Sequence, residues 1–279
     1  MSTIGIVGLG LIGGSMAKAV KFHTDHTVYG ADLDSGTMAL AFASGAIDNV
    51  LDGTSMGACD LILAALPPRA LVEWAGENAP RISPSAVLVD LCGVKRVIVQ
   101  AIRPLARKYG FSYVGGHPMA GKEHGGFKNS TALLFSGASM ILTPDGDTGA
   151  PLLERLRRFF LSLGFGGITY STPEEHDRII SYTSQLCHIT SSAFVKSPTA
   201  QTQMGFSAGS FRDMTRVAYL DENMWTQLFL ADADFLTGEL DTLIDHLTEY
   251  RDAIKAGDEG QLRELLRQGR ELKTTAGGT

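Results

Sequence analysis

The sequence predicts an α/β protein: an N-terminal domain built on a parallel sheet, then an all-helical C-terminal region. Three observations predict it. Over roughly the first 170 residues, short apolar runs alternate with helical patterns, as in a sheet with helices on both faces. The first apolar run, Ile4-Gly5-Ile6-Val7, passes through Gly8-Leu9-Gly10-Leu11-Ile12-Gly13-Gly14 straight into a helical pattern. From Thr172 onward strand-like runs all but cease.

Taken in order, the predicted strands are Thr3 to Val7, Thr27 to Ala31, Leu61 to Ala65, Ala86 to Asp90 and Ser112 to Gly115. Further runs at Ser139 to Leu142 and Gly167 to Tyr170 extend the sheet. Helical patterns fill Leu11 to Phe22, Leu71 to Asn78, Lys95 to Tyr109 and Pro151 to Leu163. Asp34-Ser35 reads as a helix N-cap for Gly36 to Ala43. Thr172-Pro173-Glu174-Glu175 is a capping box with proline at the first helical position. Asp221 to Tyr250 carries one wide apolar stripe, from Leu228 and Phe229 to Ile244 and Leu247, read as core or as a dimer face. The tail Thr274 to Thr279 is expected to be disordered. The expected domains are therefore 1–171 and 172–279.

Composition bounds the function classes. The chain has 279 residues, 44% hydrophobic and 19% charged, the balance of a soluble globular protein. No apolar run approaches the ~18 residues of a membrane span. The first residues enter a strand without a basic leader, so no signal peptide is expected. A net charge of −6 disfavours nucleic acid as a partner. Cys59, Cys92 and Cys187 are scattered and form neither a disulfide framework nor a zinc cluster, so no metal is expected and a cytoplasmic setting is the simplest.

The glycine turn carries the first chemistry. Gly8 permits the tight turn, Gly10 lets backbone approach a pyrophosphate, and Gly13 lets helix and strand pack closely. With Leu11 and Ile12 inside it, this Rossmann-type turn is a cofactor-binding candidate. A second apolar run ends at Asp32, 24 positions after Gly8, where a carboxylate accepts both ribose hydroxyls and repels a 2′-phosphate. Leu33 and Asp34 follow rather than an arginine, so NAD is expected over NADP. Leu66-Pro67 opens the loop after the Leu61 strand, at the sheet edge where cofactors bind. Asp90 closes the next apolar run and is expected to face the same crevice.

Gly115-Gly116-His117-Pro118-Met119-Ala120-Gly121 follows a further strand, with a histidine between glycines and proline. In the helical half, His176 reads as a first-turn surface residue. His188, 12 positions on, falls on roughly the same helix face and is placed toward the cleft. Arg212 and Arg216 are four apart. Either presents a fork to a carboxylate, or the pair serves an intrahelical ion pair with Asp213.

Taken together these segments resemble the prephenate dehydrogenase (TyrA) family of tyrosine biosynthesis, including its arogenate-using members, over essentially the whole chain. The carriers are Gly8 to Gly13, Asp90 to Lys95 for D-x-x-S-x-K, Gly115 to Gly121 for G-G-H-P-x-A-G, His176-Asp177 with Ser184 to His188 for H-D and S-H-L-P-H, and Gly209 to Arg216 for G-F-x-D-x-T-R. The resemblance implies that His117 is the catalytic histidine and that Arg216 holds a substrate carboxylate. It puts Glu123, Trp225, His188 and Gln185 in the substrate surround and makes the helical half a homodimer interface. The expected reaction is NAD-dependent oxidative decarboxylation of prephenate to 4-hydroxyphenylpyruvate. Family resemblance also links an acid at Asp213 with prephenate rather than arogenate, and the expected device is a pair with Arg216 or Arg212 that fixes the guanidinium.

Two departures stand out. The serine of D-x-x-S-x-K is Gly93, so a hydroxyl expected to orient the histidine and the substrate alcohol is missing. The first histidine and the proline of S-H-L-P-H are Gln185 and Cys187. A β-hydroxyacid or imino-reductase dehydrogenase would place a lysine or another polar set in the helical half, and Gly115 to Gly121 argues against it. An NAD-sensing regulator fits the lost serine but needs neither His117 nor Arg216. With the sequence ending at Thr279, soon after the last helix, no appended ACT-type domain is expected.

Overall fold

The computed structural model describes residues 2–276. The chain runs β1 (Thr3–Val7), α1 (Leu11–His23), β2 (Thr27–Ala31), α2 (Ser35–Ala43), β3 (Asn49–Val50), β4 (Leu61–Ala64), α3 (Pro68–Asn78), β5 (Val87–Asp90), α4 (Arg96–Tyr109), β6 (Ser112–Pro118), β7 (Ser139–Thr143), α5 (Ala150–Ser162) and β8 (Gly167–Tyr170). Helices follow: α6 (Pro173–Ile180), a π-helical turn (Ser181–Leu186), α7 (Cys187–Phe194), α8 (Gly209–Thr215), α9 (Glu222–Ala231), α10 (Ala233–Ala256) and α11 (Glu259–Ala276).

The strands form one eight-stranded sheet in the order β3-β2-β1-β4-β5-β6-β7-β8. All pairs are parallel except β6 with β7. An antiparallel pair needs no helical crossover, and residues 119–138 return the chain with only a short 3₁₀ turn. The order reverses between β1 and β4, which opens the crevice where open α/β sheets bind ligands. One registered row crosses the sheet through Ala31, Val7, Ala64, Asp90 and Gly115. Asp32, Gly8, Ala65 and Gly116 come next in their chains and share the carboxyl edge.

The apolar alternation explains the layers. Met16, Val20, Leu156 and Phe160 pack on one face of the sheet with Ile4, Ile6 and Leu63. Leu71, Ala75, Ile98 and Ile102 cover the other with Ile62 and Leu88. Each such buried aliphatic side chain contributes about 1.5–3 kcal/mol. The caps form largely as read. Asp34 accepts from Thr37 N–H, and Thr172 Oγ1 accepts from Glu175 N–H. The Glu175 carboxylate takes the Ser171 hydroxyl.

Contacts divide the chain into two compact units, Met1–Asp232 and Ala233–Thr279. The change from sheet to helix falls at Thr172. Yet α6 packs on α4 and α9 on α3, so the first helices belong to the sheet unit. The stripe from Asp221 is not one helix. It breaks at Asp232, whose buried carboxylate accepts from Arg96 at 2.8 Å. In the second unit α10 packs on α11, and Tyr250 Oη donates to Leu265 O. The expected disorder of the tail does not hold through Ala276, where α11 ends. The rest of that stretch, 277–279, lies outside the described residues.

Candidate active site

The three glycines of the first turn have different neighbours. Gly8 has φ +79°, and a Cβ there would stand 2.5 Å from Ala65 O and 2.9 Å from Leu66 Cδ2. A Cβ on Gly13 would lie 1.8 Å from Gly8 O. A Cβ on Gly10 would meet nothing within 4 Å. So Gly8 and Gly13 are needed by the fold, and Gly10 leaves open space at the α1 N-terminus. That terminus has no side-chain cap and no acidic residue in its first turn. Free amides and an open backbone fit a dinucleotide pyrophosphate. Asp32 Oδ2 accepts from Leu9 N–H at 2.7 Å and Oδ1 from Asp34 N–H, which holds the carboxylate beside the turn. Leu11, Ile12 and Leu66 are half-buried around it, and exposed Pro67 precedes α3.

Asp90 does not face this crevice. It is fully buried, paired with Lys95 Nζ, and accepts from Cys92 N–H and the Tyr113 hydroxyl. Lys95 is equally buried and also donates to Gly116 O. A carboxylate this far from water must be paired, and Asp90 finds its partners in the protein. Burial, then the Asp90 charge, pushes the Tyr113 hydroxyl well above its usual range. Burial also pushes the Cys92 thiol up to about 11.

His117 extends β6 past Asp90's row, opposite Ile141 of β7. Its Nδ1 lies 2.9 Å from His176 Nε2, and His176 Nδ1 lies 2.7 Å from Asp177 Oδ1. His176 is only 2% exposed, not the surface residue the sequence suggested. Asp177 is also buried. It accepts from Lys95 N–H, Arg96 N–H and Arg96 Nε, which fixes α6 on α4. The three residues come from β6 and from α6. The signal sequence reading passed over is Ile180, four places after His176 on the same buried face. Burial, then His176, then Lys95 hold the His117 imidazole well below the usual histidine range. Burial likewise lowers His176, despite the pull of Asp177. Burial would raise Asp177, but its bonds from His176, Arg96 and Lys95 prevail and lower it.

A second cluster lies along α7 to α9. His188 stacks on Trp225 with ring centroids 4.0 Å apart, and His188 Nδ1 donates to Ser184 O. Burial and the Arg216 charge hold His188 below its usual range, with the Ser184 bond opposing. Arg216 also lines a cavity of about 360 Å³ with Lys122, Glu123, His124 and Asn129, the loop that continues from His117. Asp213 is exposed and forms no ion pair with Arg212 or Arg216 among the described residues, so the expected guanidinium clamp is absent. One turn of helix separates Arg216 from Arg212, and the Asp213 carboxylate points to solvent. Gln185 is buried in the π-helical turn with neither amide atom bonded among the described residues. At Gly93 a Cβ would stand 3.4 Å from Leu228 Cδ2 and 3.9 Å from His117 Nε2, so the missing side chain leaves room beside the histidine.

A glycine turn open at a helix N-terminus, an acid closing the second strand and a neutral histidine on the same sheet edge define an NAD-dependent dehydrogenase of the Rossmann type. Comparison with known proteins narrows the class. The chain belongs to the prephenate dehydrogenase family: residues 16–167 match its nucleotide-binding domain and residues 172–268 its dimerization domain. A cyclohexadienyl dehydrogenase of Zymomonas mobilis is 31% identical, covering 97% of this chain and 94% of that protein. A prephenate dehydrogenase of Bacillus subtilis is 30% identical, covering 97% and 75%. The crystal structure of prephenate dehydrogenase from A. aeolicus with hydroxyphenyl propionate and NAD+ superposes with a TM-score of 0.86 at 27% identity, covering 99% of each chain.

Proposed function

We propose that this chain catalyses the NAD-dependent oxidative decarboxylation of prephenate to 4-hydroxyphenylpyruvate. The observation that carries the reading is neutral His117 at the sheet edge that bears the open Gly10 turn. Bound at that turn, NAD+ supplies the hydride acceptor. Gly8, Gly10, Leu11, Ile12, Gly13, Asp32, Leu66 and Pro67 would hold it. His117 accepts a hydrogen bond from the ring C4 hydroxyl and takes its proton as the carbinol becomes carbonyl-like. The C4 hydrogen leaves as hydride, the ring carboxylate leaves as CO2, and aromatisation drives the step. Arg216 receives the side-chain carboxylate, with His188, Trp225, Gln185 and Glu123 around it.

Arogenate is the second reading. One relative is named cyclohexadienyl dehydrogenase, and prephenate and arogenate both carry a cyclohexadienyl ring. Unpaired Asp213 offers an ammonium group a carboxylate. Activity on both substrates with NAD+, followed at NADH absorbance, decides between them. Activity on neither removes the reading. His117→Asn lowers kcat by about 10²–10⁴ while binding persists, and Arg216→Ala raises KM.

The same reading makes the enzyme a cytoplasmic homodimer. Its support is the match to a dimerization domain and the exposed Ile244, Leu247 and Ile254 along α10. No helix of the described residues is long and apolar enough to cross a membrane.

A further inference from the structure

Resting on that reaction, we infer that His176 and Asp177 form a closed proton store behind His117, setting its tautomer and taking its proton for the duration of one turnover. The hydrogen bonds assign the tautomers. Asp177 accepts from Lys95 N–H, Arg96 N–H and Arg96 Nε, all of them donors to a carboxylate, so Oδ1 also accepts from His176 Nδ1–H. His176 Nε2 is then the acceptor, and His117 Nδ1–H is its donor at 2.9 Å. His117 Nε2 is left as a lone pair, on the side where Gly93 leaves room. Without His176, nothing described would hold the Nδ1–H form.

The reaction's balance gives the store its purpose. The prephenate dianion and NAD+ become the 4-hydroxyphenylpyruvate monoanion, CO2 and NADH, with no proton left over. The C4–H bond gives its electron pair to the nicotinamide as hydride. The bond to the carboxylate breaks and its pair enters the ring. The C4 hydroxyl proton goes to His117 Nε2 while the Nδ1 proton shifts to His176 Nε2. That leaves an imidazolium against Asp177. When the ring oxygen becomes a phenol, both protons return. A base serving such a reaction needs a place to hold charge and no exit to water. His176 is 2% exposed and Asp177 is buried, which supplies the first and closes the second. The other charged groups acting on these residues are Asp90, Lys95 and Arg96, with Tyr113 and Cys92 bonded to Asp90. Asp90 and Lys95 neutralise each other, which leaves Asp177, with Arg96 on its far oxygen, as the carboxylate bonded to the pair.

The test begins with ¹⁵N-histidine spectra of the ligand-free chain. His117 is expected protonated at Nδ1 and bare at Nε2. The reverse in the wild type overturns the inference, whatever the variants do. In His176→Leu the tautomer should relax to Nε2–H, and kcat should fall about 10²–10³-fold with KM for prephenate and NAD+ within about threefold, since a tautomer-fixing partner elsewhere is worth up to about 10⁴. His176→Gln keeps an acceptor for Nδ1–H but cannot hold a proton. It should restore the tautomer and leave kcat about tenfold low. Full recovery with glutamine overturns the store, and near-normal kcat in His176→Leu overturns both parts. A wild type inert toward prephenate overturns the reaction assignment and leaves the tautomer result to stand or fall alone.

Discussion

Replacing Gly10 by alanine separates cofactor binding from folding. The residue has φ −67°, so its φ does not demand glycine. A Cβ there meets nothing within 4 Å, so the fold loses no contact. Stability should stay level or rise by about 0.4–1 kcal/mol, because the unfolded chain is less free. The new methyl stands where the pyrophosphate approaches the helix amides. Losing one charge-assisted hydrogen bond costs about 1.5–3 kcal/mol, which weakens NAD+ binding roughly 10–150-fold. Calorimetric titration with NAD+ reads the loss, and a thermal scan reads the fold. Gly13→Ala is the contrast. Its Cβ would overlap Gly8 O, so the turn must open and Tm must fall. NAD+ affinity within twofold of wild type in Gly10→Ala, or a Tm collapse like that of Gly13→Ala, refutes the reasoning.

The remaining predictions are shorter. Asp32→Ser with Leu33→Arg should move preference from NAD+ toward NADP+, since Leu33 is fully exposed and its guanidinium replacement disturbs no packing; an unchanged ratio of kcat/KM values rules this out. Lys95→Met leaves the Asp90 carboxylate buried with only Tyr113 and Cys92 as donors, and the urea midpoint should report a loss of about 3–5 kcal/mol; a loss under about 1 kcal/mol shows the pair contributes little. His117 and His176 are held neutral by burial, so the acid limb of kcat/KM should fall below the ordinary histidine midpoint of about 6.5. Below that midpoint, unfolded imidazoles take protons that the folded ones refuse, so stability falls as pH drops from there toward the lowered folded values. An acid limb at or above the ordinary midpoint, or a Tm flat across that window, contradicts the burial argument.

The sheet was legible because each main strand is an apolar run beside a helical pattern, and the glycine turn because its chemistry is local. The two-residue β3 has no run to read, and a π-helical turn has no signature. Polar placement was the weak point. Asp90 closes an apolar run and His176 stands between Glu175 and Asp177, and neither setting tells where the side chain turns. Their partners decide their roles, and those lie far along the chain: Tyr113 is 23 residues from Asp90, and His117 is 59 from His176. Local periodicity carries no information at such separations. The break at Asp232 depends in the same way on Arg96, 136 residues away.

His117 sits in a strand registered against β7, its ring tied to a buried helix turn. Arg216 caps the C-terminus of the seven-residue α8, exposed, beside a loop in which Lys122 Nζ donates to Asn129 O and Asn129 Nδ2 to Gly125 O. On the proposed assignment, the reacting end of the substrate would meet a strand of the sheet and the side-chain end a helix tip and a loop. On that assignment, substitutions around Arg216 would trade a keto group for an ammonium without disturbing the ring chemistry. Under that division of labour, a change of substrate would be made at a helix tip and a loop while the strand that carries His117 is left as it is.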